Sequence, residues 1–393
     1  GYAVRAADVL GAAAARPVAL RVAGAAYAGA PSPVVVAPGV AVRTATGAPL
    51  PDGADAVVRV EDTRPGDGGA VLVVDDRDAR DDGPGGGAAR RNVRPAGEDV
   101  RCGAVALAAG ARVTPGVVGL LAALGEGEPA VVRRPRVGIL ASGDELVPLA
   151  RAAEAHAGRA IVSANSYALA ALVAEAGGEP VDLGIAADTA EALGAGLARA
   201  RGAACDAVLT TGGVSVGERD HVRPAVRAAG GRVEFWRVRM RPGGPVAFGA
   251  LPGDGGRDVP WLGLPGNPVS TVVTFTLFAR PLLAALQGDA RPFPLCHAAV
   301  LDGPVRAAAP LVHLLRATLG AGSDGAPRAR LTGPQGSGLL SSVARADAYV
   351  VVPAHVDALD AGARAWVLPA HGGGPWAEAL PAGVWDRLPG AAA

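Results

Sequence analysis

Residues 206–220 read DAVLTTGGVSVGERD, an apolar run that passes into a glycine-rich loop and ends on an aspartate. The run at 206–211 has strand length and composition, so we predict a buried strand there. The glycines that follow let the backbone approach a ligand closely, and free amides ahead of a helix can hold a phosphate. Thr211 and Ser215 add hydroxyl groups. The segment therefore predicts either a phosphate-binding loop or a plain tight turn between strand and helix.

Apolar strands and helical segments alternate on both sides of this loop, from residue 136 to residue 288. We predict strands at 137–141, 181–185, 206–211 and 233–240, and helices at 166–176, 188–201, 224–229 and 268–286. Such alternation is typical of a parallel sheet covered by helices on both faces. We therefore predict a central α/β domain with a parallel-type sheet.

Two more polar loops follow predicted elements of this domain, where ligands of open α/β sheets bind. Loop 142–145 reads SGDE, and its carboxylates suit a divalent cation that bridges phosphates. Acidic residues also favour helix starts, which is the alternative for this loop and for Asp188 as a helix N-cap. Loop 264–268 reads LPGNP, a rigid turn that either positions a ligand through Asn267 or simply connects elements. Asp220 lies directly after the glycine loop.

The segments that flank the α/β domain are rich in short β-branched runs. Residues 1–91 contain such runs at 34–36, 56–60 and 71–74, and residues 289–393 contain one at 349–352. We predict an N-terminal β subdomain at 1–91, a linking and dimerisation subdomain at 92–135 with a short helix after Pro115, the α/β domain at 136–288, and a C-terminal β domain at 289–393.

Composition excludes several classes of function. The net charge is zero, with 37 basic and 37 acidic residues and no lysine, so binding to nucleic acid or an anionic membrane is disfavoured. The three cysteines form no CxxC pair, and the six histidines form no HxH or HExxH motif. No uninterrupted apolar stretch reaches membrane-spanning length. We therefore expect a cytoplasmic protein without a disulfide framework or a zinc site.

Taken in order, the motifs resemble those of the molybdopterin molybdenumtransferase family, which includes the gephyrin E domain. The matching stretches are GYAVRAADV at 1–9, TGAPLPDGADAVV at 46–58, NVRPAGEDV at 92–100, SGDELV at 142–147, DAVLTTGGVSVGERD at 206–220, GLPGNPVS at 263–270 and QGSGLLSS at 335–342. They span nearly the whole chain. The combination of GGVSVG with PGNP is specific to this family among related pterin-binding folds.

The resemblance implies a fold, a reaction and a set of partners. The fold would be an elongated homodimer of four-subdomain protomers, with a C-terminal β-barrel-like domain. The reaction would insert molybdate into adenylylated molybdopterin with release of AMP, in a Mg²⁺-dependent step. An upstream molybdopterin adenylyltransferase would supply the substrate, and molybdoenzymes or cofactor carriers would accept the product.

The resemblance also assigns roles to individual residues. Glu145, Asp188 and Asp220 would be the functional carboxylates, with Thr46 reaching across the dimer, and Asp220 and Glu145 would hold Mg²⁺. Molybdate would lie near Arg241, Arg316 and Ser341. The pterin nucleotide would be bound by Ser142, Gly143, Thr211, Gly212, Gly213, Ser215, Gly217, Pro265, Gly266, Asn267 and Pro268.

This chain departs from the family pattern at two places. The family's KPGKP loop is RPGGP here, so Arg241 keeps one positive charge while Gly244 removes another. An acidic residue and a helical segment precede GYAVR in the family, so we expect the sequence to begin inside a longer protein. Two alternatives remain open: a molybdopterin adenylyltransferase, which normally lacks the flanking β domains, and a pterin-binding scaffold without turnover.

Overall fold

The computed structural model describes residues 1–80, 92–214, 220–308 and 310–371, and the backbone of 376–377. The chain forms two compact units, Gly1–Ala108 and Ala109–Ala393. The finer division into four subdomains stays a prediction.

The first unit is built on a mixed six-stranded sheet. Its elements are β1 (Tyr2–Val4), α1 (Ala6–Val9), β2 (Val18–Ala26), β3 (Val40–Thr44), β4 (Ala56–Val58), β5 (Thr63–Pro65) and β6 (Ala70–Val73). The strand order is β4-β1-β3-β2-β6-β5, and only the β2–β3 pair is parallel among these strands. Alternating apolar residues of these strands face a core that includes Val4, Leu20 and Val71.

The prediction of a strand at 34–36 was wrong, because this run joins no sheet. Prolines at 31, 33 and 38 surround it and have no N–H to donate to a ladder. The amide of Val36 instead bonds to the carbonyl of Asp52 at 2.7 Å in an irregular loop. The predicted strands at 56–60 and 71–74 are confirmed in position as β4 and β6.

The second unit begins with one helix and continues into the α/β region. Its elements up to residue 286 are α2 (Pro115–Ala123), β7 (Arg136–Ser142), β8 (Leu146–Val147), α3 (Ala152–His156), β9 (Ile161–Val162), α4 (Ala164–Glu175), β10 (Glu179–Ala186), α5 (Ala190–Gly202), β11 (Ala207–Thr211), α6 (Val222–Ala228), β12 (Arg232–Trp236), β13 (Met240–Arg241), β14 (Ala247–Pro252), β15 (Asp258–Leu264), α7 (Pro268–Thr274) and α8 (Arg280–Leu286). The predicted helix after Pro115 is confirmed, with Thr114 as its N-cap.

The central sheet has the order β10-β7-β11-β15-β14-β12. Its first four strands are parallel: β10, β7 and β11 confirm predicted strands, whereas β15 was not predicted. Strands β14 and β12 are antiparallel to their neighbours. The predicted strand at 233–240 was wrong as one element. Arg237 has a positive φ of 75°, which ends β12, and the chain resumes as β13 in another sheet. The α/β architecture itself is confirmed.

A long apolar helical stretch, Pro268–Leu286, closes the α/β region, with a π-helical turn at Phe275–Ala279 between α7 and α8. By length and composition alone it could cross a membrane, but 72% of its most apolar window is buried within the protein. Val269, Val273 and Leu283 are fully buried in the same core as strand residues of the central sheet. The stretch therefore packs as a core helix.

The rest of the second unit is a β region. Its elements are β16 (Phe293–Pro294), β17 (His297–Leu301), β18 (Val305–Arg306), β19 (Val312–Ala321), β20 (Pro327–Leu331), α9 (Leu340–Ala344), β21 (Ala348–Val352), β22 (Ala358–Leu359), β23 (Arg364–Pro369) and β24 (Trp376–Ala377). Strands β19, β20, β17, β23 and β21 pair in a ring that closes where β21 meets β19. The predicted barrel-like domain is confirmed.

Asp206, just before β11, accepts hydrogen bonds from three arginine residues. Its carboxylate accepts hydrogen bonds from both terminal nitrogens of Arg133 at 2.6 Å, from the amide of Arg136 at 2.8 Å, and from Arg257 at 3.0 Å. Burial alone would raise the pKa of Asp206, but these bonds outweigh it and lower the pKa from 3.8 to about 2. The folded protein therefore holds this carboxylate in its charged form.

We expect Asp206→Asn to lower the free energy of unfolding by about 2 kcal/mol at pH 7. A depressed folded-state pKa stabilises the protein fully above the unfolded value of 3.8, and this contribution is lost as the pH falls towards about 2. Urea unfolding between pH 7 and pH 2 measures the effect. Over the acid part of that range the variant should lose less stability than the original protein. Parallel curves for the two proteins would contradict the assignment.

Candidate active site

Three polar loops leave one edge of the central sheet next to each other. Strand β11 lies between β7 and β15 and is parallel to both, with Thr211 opposite Ala141 on one side and Leu264 on the other. Parallel neighbours deliver their carboxyl ends to the same edge, which is where ligands of such sheets bind. The sequence prediction that these loops share one rim is therefore confirmed.

The loop after β11 approaches the loop after β7 so closely that a side chain at Gly212 would not fit, whereas its approach to the loop after β15 is an ordinary van der Waals contact. Gly212 has a φ of +93°, and a Cβ there would lie 2.5 Å from the carbonyl oxygen of Ser142. A Cβ on Gly266 would lie 3.6 Å from the Cα of Gly212. Gly213 is also left-handed, with a φ of +61°. Glycine is required at 212 because both the conformation and the space exclude a side chain.

Asn165 ties two of these loops together, and the sequence analysis missed it. Its amide nitrogen donates to the hydroxyl of Thr211 at 2.9 Å and to the carbonyl of Gly266 at 2.8 Å. The Thr211 hydroxyl in turn donates to the carbonyl of Pro265 at 3.2 Å. The signal in the sequence was a polar run, Ser-Ala-Asn-Ser at 163–166, at the start of a predicted helix. That run is ambiguous because polar residues also cap helices.

We expect Asn165→Ala to raise KM at least about tenfold while lowering kcat much less. The variant loses both hydrogen bonds that hold the loops in register, so substrate binding weakens before the chemistry does. Steady-state kinetics of the reaction that the family resemblance implies give the two constants separately. Ala171→Gly, at an exposed position of α4 away from the loops, is the control, because it weakens the helix without removing a hydrogen bond to them. Equal losses in KM for both variants would show that α4 as a whole, and not this amide, holds the loops.

The carboxylates of the site are positioned by short local contacts. The Ser142 hydroxyl donates to the carboxylate of Asp188, and the Asp188 amide donates to Asp144 at 3.0 Å. Asp188 was predicted to cap α5, and this was wrong. Thr189 is the N-cap, and its hydroxyl accepts from the amide of Ala192 at 3.2 Å. Because Thr189 fills that role, the side chain of Asp188 is turned towards Ser142.

The three loops line one cavity of about 580 Å³. Its lining includes the predicted residues Ser142, Glu145, Asp188, Thr211, Gly212, Gly213, Asp220, Pro265, Gly266, Asn267 and Pro268, together with Asn165 and Pro245. Predicted residues from separate parts of the sequence thus meet in one space. A volume of this size accommodates a small organic ligand.

The remaining predicted ligand and dimer residues lie elsewhere or cannot be placed. Gly143 borders a neighbouring cavity, and a Cβ on it would lie 2.8 Å from the nearer carboxylate oxygen of Glu145. Ser215 and Gly217 lie outside the described residues. Thr46 lies in an exposed turn of the first unit, so its predicted role across a dimer stays a prediction.

Arg316 is fully buried in β19, and it is held by the segment before α9. Its Nε donates to the Ser342 hydroxyl at 3.0 Å, and its Nη2 donates to the carbonyl of Gly336 at 2.9 Å. Burial lowers the pKa of the guanidinium below its usual value. Among the described residues, Nη1 has no hydrogen-bond partner. This leaves one buried N–H edge of a fixed cation without an acceptor among the described residues.

The serine beside Arg316 is Ser342, whereas the sequence analysis singled out Ser341. Ser342 is buried and also donates to the carbonyl of Leu339 at 2.6 Å, while Ser341 is exposed. The two adjacent serines could not be distinguished by sequence, because the short helix α9 decides which one faces inwards. The contact of Arg316 with Ser342 does not test the predicted role of Ser341 in binding molybdate.

The RPGGP segment connects the barrel to the cavity. Arg241 is exposed in β13, which pairs with β19 so that Arg241 lies opposite His313. Four residues later, Pro245 lines the cavity of the three loops. A Cβ on Gly244 would lie 3.2 Å from the carbonyl oxygen of Met240, a tight but not prohibitive approach. A basic side chain at 244 would therefore extend from a segment that borders the cavity.

An open α/β sheet with paired glycine turns and carboxylates at one cavity, followed by a closed barrel, defines a multidomain protein with a candidate ligand site at the edge of its central sheet. Residues 138–285 match a family model described as "probable molybdopterin binding domain". Residues 1–125 match the MoeA N-terminal region, domains I and II, and residues 298–370 match the MoeA C-terminal region, domain IV.

Individual relatives agree with these matches. The molybdopterin molybdenumtransferase of Haemophilus influenzae is 33% identical, over 90% of this chain and 81% of the relative. That of Bacillus subtilis is 34% identical, over 94% and 82%. The crystal structure of a molybdopterin biosynthesis MoeA protein from Pyrococcus horikoshii superposes with a TM-score of 0.73 at 28% identity, covering 94% of this chain and 86% of that one. The chain belongs to the molybdopterin molybdenumtransferase family.

Proposed function

We propose that this protein is a transferase that inserts molybdate into adenylylated molybdopterin and releases AMP. The observation that carries the proposal is the single cavity shared by three loops that are far apart in sequence. The names of the relatives support the same activity.

The glycine turns are suited to the phosphate groups of such a substrate. Gly212 and Gly213 have consecutive positive φ angles at the carboxyl end of β11. The Gly212 amide donates to the carbonyl of Leu264 at 3.1 Å, so Gly213 is the glycine whose amide we assign to the phosphates. Backbone N–H groups in turns of this kind form concave anion sites, and they stabilise charge that develops on phosphate oxygens as AMP leaves. Thr211 adds no free donor, because its hydroxyl donates to Pro265. The backbone, more than the side chains, would therefore hold the pyrophosphate.

The carboxylates of the cavity suit a Mg²⁺ ion that is held partly by the protein and partly by the substrate. Glu145, Asp188 and Asp220 all line the cavity. Within the described ranges, however, no group of three acidic, histidine or cysteine side chains is close enough to cage a metal ion. Mg²⁺ typically uses one or two carboxylates together with substrate phosphates and water. We therefore propose that Asp220 and Glu145 hold Mg²⁺ jointly with the substrate, where it would neutralise phosphate charge.

Arg316 is the strongest candidate for holding the molybdate oxyanion. It is a buried guanidinium with fixed neighbours and one donor edge that no described residue uses. Oxyanions are bound best by guanidinium donors of this kind. Arg241 and Ser341, both exposed, complete the proposed molybdate set.

We expect Gly244→Lys to tighten molybdate binding about tenfold, because it restores a cation on the segment that borders the cavity. Isothermal titration with molybdate measures the change. Gly244→Gln provides the matched control, since it adds a side chain of similar length without the charge. Equal affinities for the lysine and glutamine variants would exclude an electrostatic role for this position.

We also propose a homodimer in which Thr46 of one protomer reaches the nucleotide cleft of the other. We further propose that the protein is cytoplasmic. An adenylyltransferase would supply the substrate, and molybdoenzymes or carrier proteins would take the product. The tight loops and carboxylates described above do not depend on this assembly, because they all belong to the second unit.

Incubation of the purified protein with adenylylated molybdopterin, Mg²⁺ and molybdate tests the proposal. Release of AMP together with molybdenum in the pterin product is the expected result. Formation of adenylylated pterin from molybdopterin and ATP would instead identify an adenylyltransferase. Tight binding of the substrate without AMP release would identify a scaffold and overturn the proposal.

A further inference from the structure

A second cavity of about 630 Å³ opens beside the first. It lies between α4 and β10 and is bordered by the loop that follows β7. Leu146 and Ser163 line both cavities, so the two adjoin each other. The glycine turns and Asp220 line only the first cavity. A ligand whose phosphate lies at the glycine turns can therefore extend past Leu146 into the second space.

Tyr167 provides a fixed aromatic face in this second cavity. Its side chain is in the first turn of α4, and its hydroxyl accepts a hydrogen bond from the amide of Leu149 at 2.8 Å. The residue is 48% exposed even though its hydroxyl is held. Ile139 and Ala170 add apolar surface to the same space. A held aromatic ring beside apolar walls is a platform on which a flat heterocycle stacks.

Asp182 supplies a carboxylate to the same cavity. It is exposed on β10, next to an irregularity in the pairing with β7, and its Oδ1 accepts from the amide of Gly184 at 2.8 Å. Gly184 has a φ of +82°, a left-handed conformation that glycine adopts without strain. The local backbone therefore fixes the direction of the carboxylate. An ionised carboxylate only accepts hydrogen bonds, so it selects ligand edges that donate.

The two rings of the proposed substrate differ at this edge. A pterin presents a ring N–H beside an exocyclic amino group, two adjacent donors that match the two oxygens of a carboxylate. Adenine presents one amino group beside a ring nitrogen that only accepts hydrogen bonds. A carboxylate repels the lone pair of that nitrogen. Paired donors facing a carboxylate form charge-assisted hydrogen bonds, and these are stronger than neutral ones. The chemistry of Asp182 thus favours the pterin ring.

We propose that the second cavity binds the pterin ring of the substrate, stacked on Tyr167 and recognised at its donor edge by Asp182. The phosphates then lie in the first cavity, and the dithiolene carbons between them lie near Leu146. This assignment rests on the proposed function for the identity of the complete substrate. It adds a specificity site that is separate from the glycine turns.

Titration with 6-hydroxymethylpterin, followed by its fluorescence, and with AMP separates the two cavities. Asp182→Ala should weaken pterin binding at least about tenfold, and Tyr167→Ala should do so to a similar extent. Both variants should bind AMP with an affinity within about twofold of the original protein. Asp254→Ala, which removes an exposed carboxylate from the turn between β14 and β15, is the matched control and should change neither affinity.

Three results would overturn the assignment: no saturable pterin binding to the unchanged protein, unaltered pterin affinity in Asp182→Ala, or a parallel loss of AMP affinity in that variant. Asp182→Asn refines the test, because it keeps the size of the side chain while replacing one acceptor with a donor. It should also weaken pterin binding. Failure of the transferase assay would leave these binding results standing, so the two proposals can fail separately.

Discussion

Replacing Asp220 with alanine is expected to slow AMP release at least about 100-fold, the usual effect of removing a group that stabilises charge in the transition state. Asp220 lies in the cavity with the glycine turns, at the point where the chain re-enters helix α6. Its carboxylate is one of the two proposed to hold Mg²⁺ against the phosphates. The alanine variant should still fold, because Asp220 is half-buried and does not belong to the apolar core.

The measurement is single-turnover AMP release over a range of Mg²⁺ concentrations. If Asp220 acts through the cation, excess Mg²⁺ should partly restore the rate in Asp220→Asn but not in Asp220→Ala. Asp254→Ala controls for the loss of any acidic side chain from this unit. Unchanged turnover in Asp220→Ala would remove Asp220 from the mechanism.

Gly212→Ala is expected to reduce turnover at least about 100-fold, because a displacement of about 1 Å in a positioning group has consequences of that size. An added Cβ would lie 2.5 Å from the carbonyl oxygen of Ser142, and the backbone of one of the two loops must move away. The same movement shifts the amides that would hold the phosphates. A φ of +93° adds strain of about 1–2 kcal/mol for any residue with a side chain.

Gly255→Ala is the control that separates the backbone strain of a positive φ from the steric clash of an added Cβ. Gly255 also has a positive φ, of +67°, but an added Cβ there meets nothing within 4 Å. The control should therefore lose a similar amount of stability and keep its activity. Thermal unfolding and AMP-release assays on both variants test this. Equal activities would mean that the approach of Gly212 to Ser142 has no part in substrate binding.

The location of the site could be predicted from sequence, since two local patterns agree. Alternation of strands and helices sets a parallel sheet, and polar loops that follow its strands must then emerge at one edge. The loops at 142–145 and 211–214 follow predicted strands, whereas the loop at 265–268 follows β15, which was not predicted. The family motifs added the names of the substrates, which no spacing or periodicity could have supplied.

The features that were predicted wrongly or missed depend on contacts between segments that are distant in sequence. Asp188 and Thr189 are both acceptable helix caps by composition, and only the neighbouring Ser142 decides that Asp188 faces the cavity. Asn165 is polar at the start of a helix, which is common, and its partners lie 46 and 101 residues away. The split of β12 from β13 depends on which sheet each segment joins. Tertiary partners of this kind leave no local pattern.

A crystal structure of the protein with AMP and Mg²⁺ tests the central claim most directly, namely that the glycine turns and carboxylates form one phosphate site. We expect the AMP phosphate within hydrogen-bond distance of the Gly213 amide, with the cation between that phosphate and Asp220 or Glu145. A phosphate bound at any other edge of the central sheet, away from the Gly213 amide, would contradict the claim.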